Sequence, residues 1–336
     1  MDIRSARLHL AALVVAIGAI GFASTLSIIP SAIAPALAAN VEAWRTEWPK
    51  TDFAKHSIDL DEIFSGGPPK DGIPSIDNPE FKPLAEVEIA DSEPVIGLVL
   101  GGEAKAYPLR VLTWHEIVND VVAGVPVTVT YCPLCNSAIA FDRRLGDRVL
   151  DFGTTGRLRN SDMVMYDRQT ESWWQQFLGE AIVGELTGQT LKTIPARLES
   201  YGNFKARHPN GSVLVPNNEH MRPYGANPYV GYDSSQYPFL YNGSMPEGIP
   251  PLARVITVGD KAWSLSLLRK QERIVDGDLV LSWTPGQNSA LDARVIAKGK
   301  DVGNVVVQRA GADVVYDVTF AFVFHAFRPK GQLIIK

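Results

Sequence analysis

Glu103 to Asp120, EAKAYPLRVLTWHEIVND, is echoed by Asp260 to Asp276, DKAWSLSLLRKQERIVD, at a shift of 156 residues. Lys105, Ala106, Leu109, Leu112, Glu116 and Asp120 meet Lys261, Ala262, Leu265, Leu268, Glu272 and Asp276, and Tyr107 meets Trp263. Further on the shift becomes 152, and VTVTYCPLCNSA lies over LVLSWTPGQNSA, with Tyr131 opposite Trp283. Two blocks agreeing in the same order point to an internal duplication. Such a repeat restricts the chain to two related units, each with a strand, a turn and a returning strand.

The repeat also separates scaffold from chemistry. Pro133, Asn136, Ser137 and Ala138 recur as Pro285, Asn288, Ser289 and Ala290. Cys132 faces Thr284, Cys135 faces Gln287 and His115 faces Gln271. Proline and asparagine serve a turn, which both copies need. The thiols and the imidazole stand in one copy only and are the candidates for function.

Local patterns fit a mainly β reading. VIGLVLGG and EAKAYPL read as a hairpin through Gly101-Gly102, and VPVTVTY is a β run rich in β-branched residues. RVLTWHEIVND fits a short helix, SAIAFDRRLGDRVLDFGTT reads as strand, turn and strand, and DMVMYD is a strand. The tryptophans after it suggest a turn or short helix. SGGPPKDGIPSIDNPEF excludes a helix or a central strand and reads as a loop wrapping a neighbouring surface.

Arg4 and Arg7 precede an apolar run, Leu8 to Ile29, and Ala36-Leu37-Ala38 offers a small-x-small cleavage pattern. Residues 1–38 are therefore expected to be a signal peptide or, since 8–29 approaches membrane-spanning length, an N-terminal anchor. The protein is expected to be exported, periplasmic or extracellular, touching the membrane only through this segment. With 32 Lys and Arg against 37 Asp and Glu and no basic cluster, nothing provides a footprint for nucleic acid. Only two cysteines exist, so this is no disulfide-stapled fold. A bond between Cys132 and Cys135 would close a very small loop and stabilise little.

TWHEIVND, VTYCPLCNSAIAF, SGGPPKDGIPSIDNP and DMVMYDRQTESWWQQF together resemble the DUF3179 (seleno)protein family, from about Asp52 to the C-terminus. The resemblance implies an exported or membrane-linked domain without an established role. In some members a selenocysteine stands within the C-x-x-C position, which implies thiol-type redox exchange at Cys132 and Cys135.

Read from the residues, C-P-L-C supplies an attacking and a resolving thiol. The following segment reads as strand, so a thioredoxin fold is not expected. Thiolate stabilisation would fall to turn amides of Leu134 to Asn136, or to His115 as cation or general base, with Arg157 and Arg159 as further candidates. The alternative is soft-metal binding, copper first, by Cys132, Cys135 and His115 with Met163 and Met165 adding thioether sulfur. Against that, the two methionines alternate with Val164 as core residues of a strand would. One C-x-x-C alone is a poor structural zinc site. Asp162 and Asp167 flank the methionines and suit either a ligand-orienting role or a turn cap. The resemblance alone also draws attention to Lys70 and Asp71, which could close over the cysteines. A third reading is a non-catalytic exported binding or scaffold domain with an inert disulfide. No dinucleotide, P-loop or hydrolase motif occurs in its required context.

The expected fold class is α+β, mainly β, with two related β-rich units. A Pro/Gly-rich segment, 39–90, packs on the core. The first unit, 91–250, carries the cysteines and the second, 251–336, lacks them. A redox partner or small-molecule substrate is expected, its identity open.

Overall fold

β-branched and aromatic runs broken by Gly, Pro and Asn build many short strands and five short helices, as expected for a mainly β, α+β chain. The computed structural model describes residues 41–336, so the expected signal or anchor over 1–38 lies outside the described residues. Among the described residues no helix is long and apolar enough to cross a membrane.

The chain runs from helical residues 41–47 (α1) through β1 (Ile63–Ser65), β2 (Glu80–Pro83), β3 (Pro94–Leu100) and β4 (Glu103–Pro108). Helix α2 (Leu109–His115), β5 (Ile117–Val122), β6 (Val125–Cys132) and β7 (Ser137–Asp142) follow. A hairpin, β8 (Arg144–Leu145) and β9 (Arg148–Val149), leads to β10 (Phe152–Arg159), β11 (Asp162–Asp167), β12 (Trp173–Gln175) and β13 (Glu180–Val183). Next come β14 (Lys192–Ile194), β15 (Ala196–Ser200), α3 (Tyr201–Arg207) and β16 (Ser212–Val215). The second half contains β17 (Arg254–Val258), β18 (Lys261–Ser264), α4 (Leu265–Gln271), β19 (Arg273–Asp276) and β20 (Leu279–Thr284). It ends with β21 (Asn304–Arg309), β22 (Ala312–Asp313), β23 (Asp317–Phe320), α5 (Ala321–Phe327) and β24 (Gln332–Ile334).

Two pairs of sheets share their connectivity. The order β15-β3-β4-β16 in the first half corresponds to β23-β17-β18-β24 in the second, and each ends in a parallel pair. The order β14-β7-β6-β5 corresponds to β22-β21-β20-β19. Details recur as well. Lys105 Nζ reaches Asp120 at 3.0 Å and Lys261 Nζ reaches Asp276 at 3.0 Å. Glu116 and Glu272 both close their helix at φ 58°. Their N–H groups return to Leu112 and Leu268, and their carbonyls accept from Tyr131 and Trp283.

The halves differ in what is inserted. Between β7 and β14 the first half holds the β8–β9 hairpin and strands β10 to β13, which with β1 from the N-terminal segment form the sheet β1-β10-β11-β12-β13, whereas only Ala310 and Gly311 separate β21 from β22. Trp173–Gln175 is a strand, β12, where the sequence suggested a turn or helix: pairing with β11 on one side and β13 on the other decides its conformation.

One core cluster joins Tyr107, Leu112 and Val129 to Trp263, Leu281 and Val307 of the second half. A second gathers Cys132, Cys135, Phe141, Met163, Phe320 and Phe322. Each large apolar side chain so buried contributes roughly 1.5–3 kcal/mol. Trp48 and Phe53, from the N-terminal segment, pack on Val164, Tyr166 and Trp173 over the opposite face of the inserted sheet. The proline-rich stretch is a strap laid across β5 and β10: Gly66 N donates to Gly156 O (2.8 Å), Asp71 N to Thr154 O (2.9 Å) and Ile76 N to Ile117 O (2.9 Å).

Candidate functional site

Cys132 ends β6, Cys135 sits in the following turn, and Cys132 pairs with Ser137 at the start of β7. The turn is closed by Cys135 N–H to Cys132 O (3.2 Å) and Asn136 N–H to Pro133 O (3.2 Å). Asn136 takes φ 50°, a left-handed conformation that asparagine tolerates. Its amide donates to Val318 O (2.7 Å), and Thr319 Oγ1 donates to Cys135 O (2.7 Å). The second half of the chain thus braces the thiol turn through β23.

The inserted sheet supplies the opposite wall. Asn160 and Ser161, at φ 52° and 64°, reverse the chain between β10 and β11 and direct the Ser161 carbonyl at both sulfurs, 3.9 Å from Cys132 Sγ and 3.6 Å from Cys135 Sγ. Asp162 follows, wholly buried. Its Oδ2 accepts from Gln175 Nε2 (2.6 Å) and Phe177 N–H (2.9 Å), while Oδ1 has no hydrogen-bond partner. A carboxylate oxygen of Asp162 and the two sulfurs all lie within 4.8 Å of one another.

Burial governs the electrostatics. It raises the Asp162 carboxyl to about 6, partly offset by the Phe177 and Gln175 donors. Burial pushes the Cys132 thiol up, and Cys135 rises further, by burial and then by the neighbouring Cys132. Glu116 is raised to about 8 by burial and then by the charge of Asp162. No lysine, arginine or histidine is among the groups shifting any of these four acids.

The cluster adjoins a chamber of about 500 Å³. Glu116, Leu134 and Met163 line one end, the bulge of β10 and Pro68 of the strap another, and the loop from Pro228 to Phe239 a third. That loop is fastened to the site: Tyr232 Oη donates to Leu134 O at 3.1 Å, and Ser161 Oγ donates to the Phe239 carbonyl.

His115 is not brought to the thiols. As the last residue of α2 it turns to the strap, where Nδ1 meets Pro74 O and Nε2 meets Tyr224 Oη, each at 2.7 Å, and the donor group does not include it. Both ring nitrogens are therefore engaged, and burial holds its pKa below the ordinary range. Two of the three turn amides expected to stabilise a thiolate are used by the carbonyls of the turn itself. Arg157 lines the chamber but pairs with Glu47 at 2.7 Å; Arg159 pairs with Glu62 at 2.7 Å. Met163 and Met165 share the buried face with the cysteines, while Val164 and Tyr166 face Trp48. Lys70 bonds Glu171 (2.8 Å) and Asp71 accepts from Tyr166 Oη (2.6 Å), so they fasten the strap rather than close over the cysteines. Asp167 accepts from Thr170 N–H (2.7 Å) and Trp174 Nε1 (3.0 Å), which is a turn-capping role.

Sequence reasoning overlooked Glu116 and Tyr229. Glu116 stands out in the sequence only as a repeat match to Glu272, and nothing near Tyr229 signals a site. No curated protein and no solved structure matches the chain. The model of the family described as "Protein of unknown function (DUF3179)" matches residues 70–331, covering the strap from Lys70 onward, the thiol turn, Asp162 and most of the second half, and the chain belongs to that family.

Proposed function

We propose that the protein binds a thiophilic divalent cation, zinc in the first instance, through Cys132, Cys135 and Asp162. The observation that carries this reading is the convergence of two thiols and an unpartnered, buried carboxylate oxygen within 4.8 Å. Buried acids so close together hold protons or need a cation. Two thiolates and a carboxylate suit zinc and leave a fourth position open. The carboxylate, with His115 directed elsewhere, favours zinc over the copper expected from the sequence. Copper(I) on the two thiols and Met163 is the competing occupant.

The test is metal content of the protein purified under reducing conditions, then titration with zinc and copper(I). One zinc per chain, lost in Cys132→Ser and in Asp162→Asn, is expected. A chain that binds no metal at micromolar zinc would end the reading.

Thiol redox at Cys132 and Cys135 is the second reading, favoured by the turn that sets the two thiols side by side against the Ser161 carbonyl. Oxidation would join the sulfurs and release two electrons and two protons to an acceptor. A dithiol potential near those of known exchange proteins, in metal-free protein, would favour it; one below about −300 mV would leave an inert disulfide.

We infer further that the two halves, 91–250 and 251–336, arose by duplication. The matching strand orders, the Lys–Asp pairs and the shared φ of Glu116 and Glu272 support this. With residues 1–38 read as an export signal or anchor, the centre would work outside the cytoplasm.

A further inference from the structure

The backbone at Glu116 has a structural task that its side chain does not share. Ending α2 at φ 58° and pairing with Leu112 and Tyr131 uses only main-chain atoms, and Glu272 repeats this geometry with its side chain in solvent. In the first half the same residue is 8% exposed, lines the chamber, and its carboxyl accepts no hydrogen bond from the described residues. A carboxyl with no such partner, open to the chamber rather than sealed, is free to take one from a ligand there.

The protein offers none. Asp162 and Cys132 are the acids nearest in effect, and Tyr229 is the hydroxyl coupled to both Glu116 and Cys132. Arg157, the one basic residue on the chamber wall among the described residues, is paired with Glu47 and lies 5.2 Å and 5.3 Å from the rings of Trp44 and Trp173, although its Nε keeps no partner. A divalent ion on Cys132, Cys135 and Asp162 would still leave this end of the chamber negative, since their thiolates and carboxylate carry more charge than it supplies. Apolar and aromatic side chains make up most of the remaining wall, among them Leu134, Met163, Tyr229, Tyr232 and Phe239, with Thr154 and Ser235 as its neutral polar members. A volume of about 500 Å³ is that of a small-molecule site. A lone carboxyl among aromatic rings is the arrangement that recognises an organic cation, by ion pairing and by attraction to the ring faces.

We infer that the chamber binds a small organic amine, its ammonium group at Glu116 and its hydrocarbon body against Leu134, Met163 and Tyr229. The inference names a ligand class for the chamber beside the proposed metal centre and rests on that reading only for the position of the ion.

The test compares two probes of equal shape and opposite charge, 2-phenylethylamine and 3-phenylpropanoate, by calorimetry on the full chain, with metal content measured on the same samples. The amine is expected to bind and the acid not. Glu116→Gln should weaken the amine at least tenfold while metal content is unchanged, and Val230→Trp, which fills the chamber from the loop side, should abolish binding with the metal retained. Equal binding of both probes, or an amine affinity indifferent to Glu116→Gln, would overturn the inference. Loss of the metal in Glu116→Gln would make Glu116 a metal ligand, which ends this inference and leaves the metal reading standing. Amine binding in a chain that takes no metal would do the reverse.

Discussion

Asp162→Asn separates the metal reading from the redox one, because it moves three observables in known directions. An asparagine oxygen can still accept from Gln175 and Phe177, so the fold around β11 and β12 is kept, while the charge beside the thiols disappears. In metal-free protein the wild-type carboxyl is raised from 3.8 to about 6. Below pH 3.8 the group is protonated folded and unfolded and exacts nothing. Between there and about 6 the unfolded chain sheds its proton first, so stability falls as pH rises. Above that range the folded state bears the full burden, at most about 3 kcal/mol at about 1.4 kcal/mol per pH unit. Urea unfolding of the metal-free variant should therefore match wild type near pH 3.5 and exceed it by up to about 3 kcal/mol at pH 8. Removing the charge also lowers both thiols, for which Asp162 is a raising influence, so alkylation by iodoacetamide should quicken. Zinc affinity should fall roughly 100-fold or more, a ligand having been lost. A variant less stable than wild type at pH 8, or one that binds zinc as before, would refute this account of Asp162.

The paired lysines give a second contrast. Lys105→Met leaves Asp120 buried without its cation, with side-chain exposures of 11% and 7%, and should cost about 3–5 kcal/mol in urea unfolding. Lys261→Met breaks a pair exposed at 44% and 27% and should cost under about 1 kcal/mol, so equal losses would count against the burial argument. Gly156→Ala forces a Cβ to 1.9 Å from Pro68 O at φ +70°, whereas Gly67→Ala meets nothing within 4 Å at φ +107°. The first should destabilise by about 2 kcal/mol or more and expose the strap to protease, the second by about 1 kcal/mol from backbone strain alone. His115→Gln should cost about 1–2 kcal/mol through the contacts to Pro74 and Tyr224, with metal content unchanged; loss of metal would return the histidine to the site.

The β frame was legible because its determinants are local. β-Branched runs, the Pro-Asn turn and the alternation that buries Met163 beside the thiols each act within a few residues. Trp173 and Trp174 misled because neighbouring strands, which no local pattern records, hold them extended. His115 misled for another reason. Its contrast with Gln271 is real, but the partner it answers is Pro74 O, a lone carbonyl presented by the strap, so the polar demand arises from packing. Tyr229 and the loop to Phe239 reach the thiols only through the fold. In sequence they carry neither period nor motif.

On the duplication reading, the chemistry follows from where the copies stopped matching. The thiol turn belongs to the shared frame, since Pro133 and Asn136 have counterparts in Pro285 and Asn288. Asp162, Met163 and the bulge of β10 belong to the strands inserted between β7 and β14, for which the second half has only Ala310 and Gly311. The donor set therefore exists only where an inserted wall faces a substituted turn. Glu116 shows the same logic from the side of the frame: its backbone geometry is common to both halves, yet the inserted sheet supplies Asp162, whose charge helps raise it. A lone C-x-x-C carries too little to distinguish a redox pair from a metal site. Setting a buried carboxylate against it shifts the balance toward a centre that holds an ion.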